Sequence, residues 1–501
     1  MEKKSDDRPA TARRRDAKEE RMGRAGVVLI VCLCTLPFLV FLFGGRAGAP
    51  AVWRNADKLT ATAGSGTTTT ASSLKLGDYE ARHSKCGPGA LSYARSVDHL
   101  RSGGGSSTED DECNCMVWIP YNGLGNRMLS LLSTFLYALL TGRVLLVHPT
   151  DDFTDLFCEP FLAGTWALPP DFPVADMSRL GARSNESYGN LLDGKRISND
   201  PTKATARSVP PYVYLHLAHD LRRSDRRFYC NDDQLVLAKV NWLLLQNDFY
   251  FVPALYDVAE FEGELRRLFP AMESASQLLG RYLFHPSNSV CGMITRYYHS
   301  YLAHAEERIG VQIRMFSWAS IPEHILPDVD SDEANTTSAA ADGSNKSKAI
   351  LIASLQGEYY ERIKSTYYEH AAEGGGRVGV FQPSHEERQT MGQRSHNQKA
   401  LAEIYLLSFS DVLLTTGIST FGYMSSSLAG LRPTMLTIAK DHKVPDTPCV
   451  RAVSMEPCFH MTPDVKCHRK AVNKEELSRH VKECKDVPKE MKWIKGVKLV
   501  D

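Results

Sequence analysis

The chain carries no excess of charge of either sign, since 59 Lys and Arg balance 59 Asp and Glu over 501 residues. That balance excludes the basic footprint of a nucleic-acid binder, so no nucleic-acid partner is expected. Paired Cys-x-x-Cys spacing is missing as well, which argues against a zinc site. No two carboxylates stand out as flanking a scissile bond, which disfavours a glycoside hydrolase. Apolar residues, by contrast, are not scarce: 43% of the chain is hydrophobic, the share of an ordinary globular protein rather than a disordered one. Cores stop growing near about 250–300 residues, so a chain of this length is expected to form two domains.

Charge is also missing locally. No residue from Ala25 to Gly45 is charged, and about 21 residues rising ~1.5 Å each cross a hydrocarbon layer of ~30 Å. Arg13, Arg14, Arg15, Lys18, Arg21 and Arg24 precede this stretch, whereas only Arg46 and Arg54 follow closely. The positive-inside rule therefore makes residues 1–24 a cytoplasmic tail, residues 25–45 a signal anchor and the remainder lumenal. A cleaved secretory signal is the alternative, with Ala47-Gly48-Ala49 as its small-residue site, but the apolar stretch is long for one. Cys32 and Cys34 lie in the span. Cys86, Cys113, Cys115, Cys158, Cys230, Cys291, Cys449, Cys458, Cys467 and Cys484 lie beyond it, and in an oxidising compartment this even set reads as disulfides of open connectivity. Asn185, Asn335 and Asn345 each open an Asn-x-Ser/Thr triplet, compatible with glycosylation there.

Residues 46–112 are rich in Gly, Ser, Thr and Ala and poor in aromatics, which reads as a flexible stem. The packed body begins near Cys113. Met116–Ile119 reads as a strand, Tyr121–Arg127 as a loop, Met128–Leu140 as a buried helix and Val144–Val147 as a strand. Strand-like runs recur at Ile309–Ile313, Ala349–Ala353, Val378–Phe381, Val412–Thr415 and Thr434–Ile438. Helical patterns alternate with them at Glu358–His370, Gln398–Phe409 and Phe421–Gly430. This alternation predicts an α/β fold with parallel, doubly wound sheets. We read residues 113–305 and 306–445 as two Rossmann-like domains, and residues 446–501 as a Cys-containing segment that packs back on them. Open α/β sheets bind nucleotides beyond the carboxyl ends of their strands.

Three segments sit where an anion would bind. The loop Gly123-Leu124-Gly125-Asn126-Arg127 joins a strand to a helix, where glycines expose N–H groups beside a positive helix end; a tight turn packed for structural reasons is the alternative, since the spacing is not Gly-x-Gly-x-x-Gly. Arg314 closes the strand Ile309–Ile313, and its planar fork suits a diphosphate or an internal carboxylate. The turn Gly417–Tyr423 opens a helix with Ser419 and Thr420, which serve either an anion or a plain helix cap. Asp328-Val329-Asp330-Ser331-Asp332 has the spacing of a divalent-cation pair, but it opens a low-complexity insertion instead of ending a strand, so no metal is expected. His385-Glu386 reads as acid/base, as acceptor-binding or as an exposed turn.

Taken together, GLGNRMLSLLSTFLYALLTGRVLLV, YLHLAHD, NDFYFVPAL, LGRYLFHPSN, TRYYHSYLAHAEERIGVQIRMF, QPSHEE, KALAEIYLLSFSDVLLTT, STFGYMSSSLAGLRP and SMEPCFH occur in order. They resemble the plant cell-wall fucosyltransferases, the family that includes xyloglucan fucosyltransferase, from about Cys113 onward. The resemblance implies a GT-B-like fold, two Rossmann-like domains facing across a cleft. It also implies an inverting reaction with no metal or other cofactor, GDP-fucose as donor, and a galactose-type hydroxyl of a xyloglucan-like or arabinogalactan-like glycan as acceptor. The Golgi membrane, with type II topology, is the implied setting, and a homodimer is left open. Arg314 is similar to the family's donor-diphosphate arginine. Ser419, Thr420, Phe421 and Tyr423 fall in its nucleotide-binding segment, with Gly125, Asn126 and Arg127 as further donor-binding candidates. Asp248 matches an acidic position near the acceptor; we take Asp248 and Arg314 as the catalytic candidates, Asp248 serving as base, as acceptor-positioning group or as a turn cap. Ile418 stands where the family commonly has an aromatic residue. A protein O-fucosyltransferase-like enzyme and an inactive glycan-binding relative are the alternatives.

Overall fold

Continuous runs of branched and aromatic residues, with no polar alternation, make strands that are buried on both faces, and helices must then cover both sides of the sheet. The computed structural model describes residues 67–103, 113–161, 164–174, 176–270, 274–315, 346–372, 376–437, 448–462, 467, 480–486 and 496–500, all within one compact unit spanning residues 62–501. The expected cytoplasmic tail and signal anchor lie outside the described residues, as do Asp328–Asp332, Asn335 and Asn345. No helix among the described residues is long and apolar enough to cross a membrane.

Among the described residues two helices come first, α1 (Thr67–Cys86) and α2 (Leu91–Ser102). The chain then enters β1 (Cys115–Ile119), α3 (Leu124–Thr141), β2 (Val144–Val147), the short β3 (Phe157–Cys158), β4 (Tyr212–Leu217) and β5 (Trp242–Asn247). Strands β1, β2, β4 and β5 form a parallel sheet in the order β2-β1-β5-β4. Next come α4 (Ala275–Leu283), β6 (His285–Pro286, paired antiparallel with β3), α5 (Asn288–Tyr297) and β7 (Glu307–Ile313). The second sheet continues through β8 (Lys348–Ser354), α6 (Glu358–Glu369), β9 (Val378–Phe381), α7 (Arg394–Leu407), β10 (Val412–Thr416), α8 (Thr420–Ala429), β11 (Thr434–Leu436) and β12 (Cys449–Arg451). Its order is β12-β11-β10-β7-β8-β9, parallel throughout except for β12 against β11. The last pair, β13 (Val481–Glu483) and β14 (Val497–Leu499), is antiparallel.

The sheets do not stand on separate cores. One apolar cluster takes in Leu131, Leu132 and Phe135 of α3, Leu279 and Leu283 of α4, Leu401 and Leu407 of α7, Met424 and Leu428 of α8, and Phe459 and Leu499 of the C-terminal segment. Helix α3 packs on α4 and α8, which fixes the amino end of α3 against the amino end of α8.

Two expectations need correction. The flexible stem expected over residues 46–112 gives way to α1 and α2 within residues 67–103. Tyr79, His83, Tyr93, Val97 and Leu100 of these helices are buried, Tyr79 packs edge-on against Phe135, and its hydroxyl accepts from the Leu145 N–H at 2.9 Å. A few aromatics, not overall composition, supply the burial that orders the segment. The even cysteine set also does not pair throughout. Disulfides join Cys86–Cys113, Cys230–Cys467 and Cys458–Cys484, whereas Cys115, Cys158 and Cys291 are free thiols. Cys115 is held inside β1 with no exposed surface, so packing decides its place.

Candidate functional site

The carboxyl ends of β1, β4 and β5 meet those of β7 and β10 at the paired amino ends of α3 and α8. Asn122 enters α3 in the left-handed region at φ 70°, a conformation Asn tolerates, and its Oδ1 accepts from the Gly123 N–H at 3.0 Å. A Cβ on Gly125 would lie 2.8 Å from Thr420 Oγ1 and 2.9 Å from the Phe421 nitrogen. Only glycine permits that approach. The neighbouring Asn126 clasps both sides: its Nδ2 donates to the Asp248 carbonyl at 2.9 Å, and its Oδ1 accepts from Thr420 Oγ1 at 3.0 Å. Across the joint, Ser419 caps α8 by accepting from the Gly422 N–H at 3.5 Å. The N–H groups of Thr420 and Phe421 then have no partner among the described residues at a positive helix end. Ile418 precedes them at φ 64°, a strained conformation for a branched residue that the surrounding packing must hold.

Between these ends lies a cleft of about 260 Å³, lined among others by Gly123, Gly125, Asn126, Arg314, Ser354, Glu403, Ile418, Ser419, Thr420 and Phe421. Arg314 follows β7 directly, and its N–H donates to Thr416 Oγ1 at 2.9 Å, which ties the ends of β7 and β10 together. Its guanidinium donates to Gln389 Oε1 at 2.9 Å, a neutral partner and not the internal carboxylate considered from sequence. Burial lowers its pKa from the ordinary value, although an arginine keeps its proton in a protein. The other basic side chains lining the cleft among the described residues are engaged: Lys399 pairs with Glu386, and His396 Nδ1 lies 3.4 Å from the same carboxylate. Glu403 is buried, accepts from Ser384 Oγ at 2.5 Å, and burial pushes its carboxyl up to about 8.

Three candidates from sequence fall elsewhere. Arg127 does not line the cleft; its guanidinium is buried in an ion pair with Asp152 at 2.9 Å, and Asp152 also accepts from Asn397 Nδ2 at 2.9 Å. Asn126 and Arg127 are ~100° apart on α3, so one faces the cleft and the other the body. Tyr423 likewise points away, donating its hydroxyl to Asp486 and lying 3.2 Å from His460 Nε2, so it anchors α8 to the C-terminal segment. Asp248 is only 2% exposed, and both of its oxygens are engaged. Oδ1 accepts from the His219 N–H at 3.1 Å, and Oδ2 meets His219 Nδ1 at 2.6 Å and Asn122 Nδ2 at 3.2 Å. The Asp248 carboxylate is therefore not presented to a substrate. Of the remaining pair, His385 is exposed, while Glu386 lines the cleft with its pKa lowered, chiefly by the hydrogen bond from Lys399. Asn185 is exposed on its loop.

His219 escaped the sequence reading, although it stands in the YLHLAHD motif just past β4. A histidine at the carboxyl end of a buried parallel strand was the available signal. Its side chain is 54% exposed, and Tyr121 stacks beside it at 6.1 Å between ring centroids, 16° from coplanar. Gln389, Lys399 and Glu403 were also missed; all three come from the loop before α7 and from α7 itself, which only the fold brings into the cleft.

A family model described as xyloglucan fucosyltransferase matches residues 69–468. A galactoside 2-alpha-L-fucosyltransferase of Pisum sativum is 45% identical over 443 residues, covering 85% of this chain and 75% of that protein. Its namesake in Arabidopsis thaliana is 43% identical over 447 residues, covering 85% and 76%. Among solved structures, a mutant of Arabidopsis thaliana FUT1 in complex with GDP is similar at TM-score 0.75 and 41% identity, covering 87% of this chain and 92% of that chain.

Proposed function

The chain belongs to the xyloglucan fucosyltransferase family, and from that premise we propose how its cleft carries out fucosyl transfer. It is a glycosyltransferase that takes fucose from GDP-fucose. The two-sheet arrangement, with the cleft at the carboxyl ends of the parallel strands, supports a GT-B-like reading of the fold. The observation that carries the mechanism is Arg314: a guanidinium in the cleft with a neutral protein partner, beside the amino end of α8. Such a group is satisfied by an anion, and its fork matches two oxygens of a diphosphate.

The acceptor hydroxyl oxygen bonds to fucose C1 on the face opposite GDP, and the C1–O bond to the β-phosphate breaks with its electron pair left on that oxygen. Charge thus grows on the diphosphate as the bond opens. Arg314 and the N–H groups of Thr420 and Phe421 lie where that charge develops, which is how preorganised donors lower a barrier. Attack from the opposite face makes the reaction inverting. The acidic side chains lining the cleft among the described residues are Glu386, occupied by Lys399, and Glu403, held neutral below about pH 8. Neither presents a free carboxylate that could hold a divalent cation against the diphosphate, so we read the reaction as metal-independent.

The acceptor in this reading is a galactose-type hydroxyl of a cell-wall polysaccharide or glycoprotein glycan, and the enzyme is a Golgi type II protein with its cleft in the lumen. Labelled GDP-fucose offered with galactose-terminated xyloglucan fragments, arabinogalactan glycans and folded peptide acceptors tests this directly. Label on a galactosyl hydroxyl, located by linkage analysis, supports it; label on peptide hydroxyls alone overturns it in favour of a protein O-fucosyltransferase.

A further inference from the structure

We propose that His219, oriented by Asp248, is the catalytic base that takes the proton of the acceptor hydroxyl. The inference rests on the fucosyl-transfer reading and adds a residue to it. A carboxylate accepts hydrogen bonds and donates none. With Asp248 Oδ2 at 2.6 Å from His219 Nδ1, the tautomer that suits the pair has its proton on Nδ1. The Nε2 lone pair then remains, and no side chain among the described residues bonds to it. The hydrogen bond from the His219 N–H to Asp248 Oδ1 at 3.1 Å and that from Asn122 Nδ2 to Oδ2 at 3.2 Å hold the carboxylate in place. The nearby charged and titratable groups are Asp220, adjacent on the same loop and bonded to His216 Nε2 at 2.7 Å, and Tyr121, stacked on the ring from the loop after β1.

Position supports the role. Asp248 is joined through its own carbonyl to Asn126, and Asn126 to Thr420, at the seam of the donor cleft. The imidazole therefore stands two hydrogen bonds from Asn126 in the cleft wall, just past β4 of the first sheet, with about half of its side chain open to an arriving acceptor. In the step itself the hydroxyl oxygen bonds to C1 and the C1–O bond to the β-phosphate breaks, its electron pair leaving with GDP. The hydroxyl proton passes to Nε2, giving an imidazolium that the Asp248 carboxylate stabilises; the proton returns to solvent after product release. Asp248 is a positioning residue here, and His219 is the group that touches substrate.

Three variants of the full lumenal chain test the proposal. His219→Gln keeps hydrogen-bonding capacity without basicity, so kcat falls at least about a hundredfold while GDP affinity and acceptor KM stay within about threefold. In His219→Ala, added imidazole restores transfer, a readout that a structural role would not move. In Asp248→Asn an amide N–H turned toward Nδ1 makes that nitrogen the acceptor and Nε2 the donor, and kcat falls with His219 still present. A His219→Gln enzyme with kcat within about threefold of wild type overturns the proposal. So does a raised acceptor KM alone, or a folded, GDP-binding His219→Ala enzyme that imidazole does not rescue. Absence of transfer by the wild-type chain on every acceptor tried would instead strike the fucosyl-transfer reading, which keeps the two failures distinct.

Discussion

Arg314 was readable in the sequence because a charged fork directly after the strand-like run Ile309–Ile313 has few ways to be satisfied. The structure then gives it Gln389 and, among the described residues, no carboxylate. Lysine keeps the charge but cannot span two phosphate oxygens in one plane. Arg314→Lys is therefore expected to lose at least about tenfold in kcat, ~1.4 kcal/mol of transition-state stabilisation, with an unchanged melting temperature; steady-state kinetics on folded protein checks it. Glu403 makes a different prediction. Burial raises its folded pKa to about 8, above the unfolded value, so the stability it contributes is full below the unfolded pKa and is lost as pH rises through about 8. Glu403→Gln, which mimics the neutral acid, should flatten that loss, measured as melting temperature from pH 5 to 9; an unchanged slope in the variant would refute the assignment. Arg127 was misread for a reason of phase: the sequence places it beside Asn126, but successive residues of a helix face ~100° apart, and its partner Asp152 is not recognisable from spacing.

At the scale of elements, the amino ends of α3 and α8 make the site together, and Gly125 is the contact that lets them meet. Gly125→Ala places a methyl 2.8 Å from Thr420 Oγ1 and 2.9 Å from backbone, and backbone cannot swing aside. The expected cost is about 1–3 kcal/mol of stability from overpacking, together with weakened GDP binding, which calorimetric titration and thermal melting read separately. Much of the element pattern was legible: β2 and β9 match their apolar runs residue for residue, and β1, β7, β8 and β10 differ by one or two at their ends. Strands β4 and β5 were not assigned, although Tyr212–Leu217 and Trp242–Asn247 are as apolar as the rest. Their closing residues His216, Gln246 and Asn247 are buried polar groups, and the hydrogen bonds that satisfy them, such as Tyr214 to Gln246 at 2.8 Å, exist only once the sheet is assembled. Missing those strand ends meant missing His219 as well.

For the molecule as a whole, the two sheets share a core, and the segment read as a stem belongs to it. Composition hid this, because three buried rings in α1 and α2, those of Tyr79, His83 and Tyr93, decide the packing while Gly, Ser and Thr dominate the count. A fragment starting at Cys113 loses Tyr79, His83 and the Cys86–Cys113 disulfide, and losing that crosslink alone costs about 2–4 kcal/mol. A fragment starting at Thr67 should therefore melt well above one starting at Cys113, compared by circular dichroism under oxidising conditions; equal melting temperatures would return α1 and α2 to the status of a spacer. The central claim is that this cleft transfers fucose with its own cations and helix ends neutralising the leaving diphosphate. Its most direct test is the rate at which the fragment from Thr67 onward moves labelled fucose from GDP-fucose to a galactose-terminated glycan in excess EDTA. The account predicts full turnover and a product of inverted anomeric configuration. Turnover that vanishes in EDTA and returns with manganese, or a retained configuration, would contradict it.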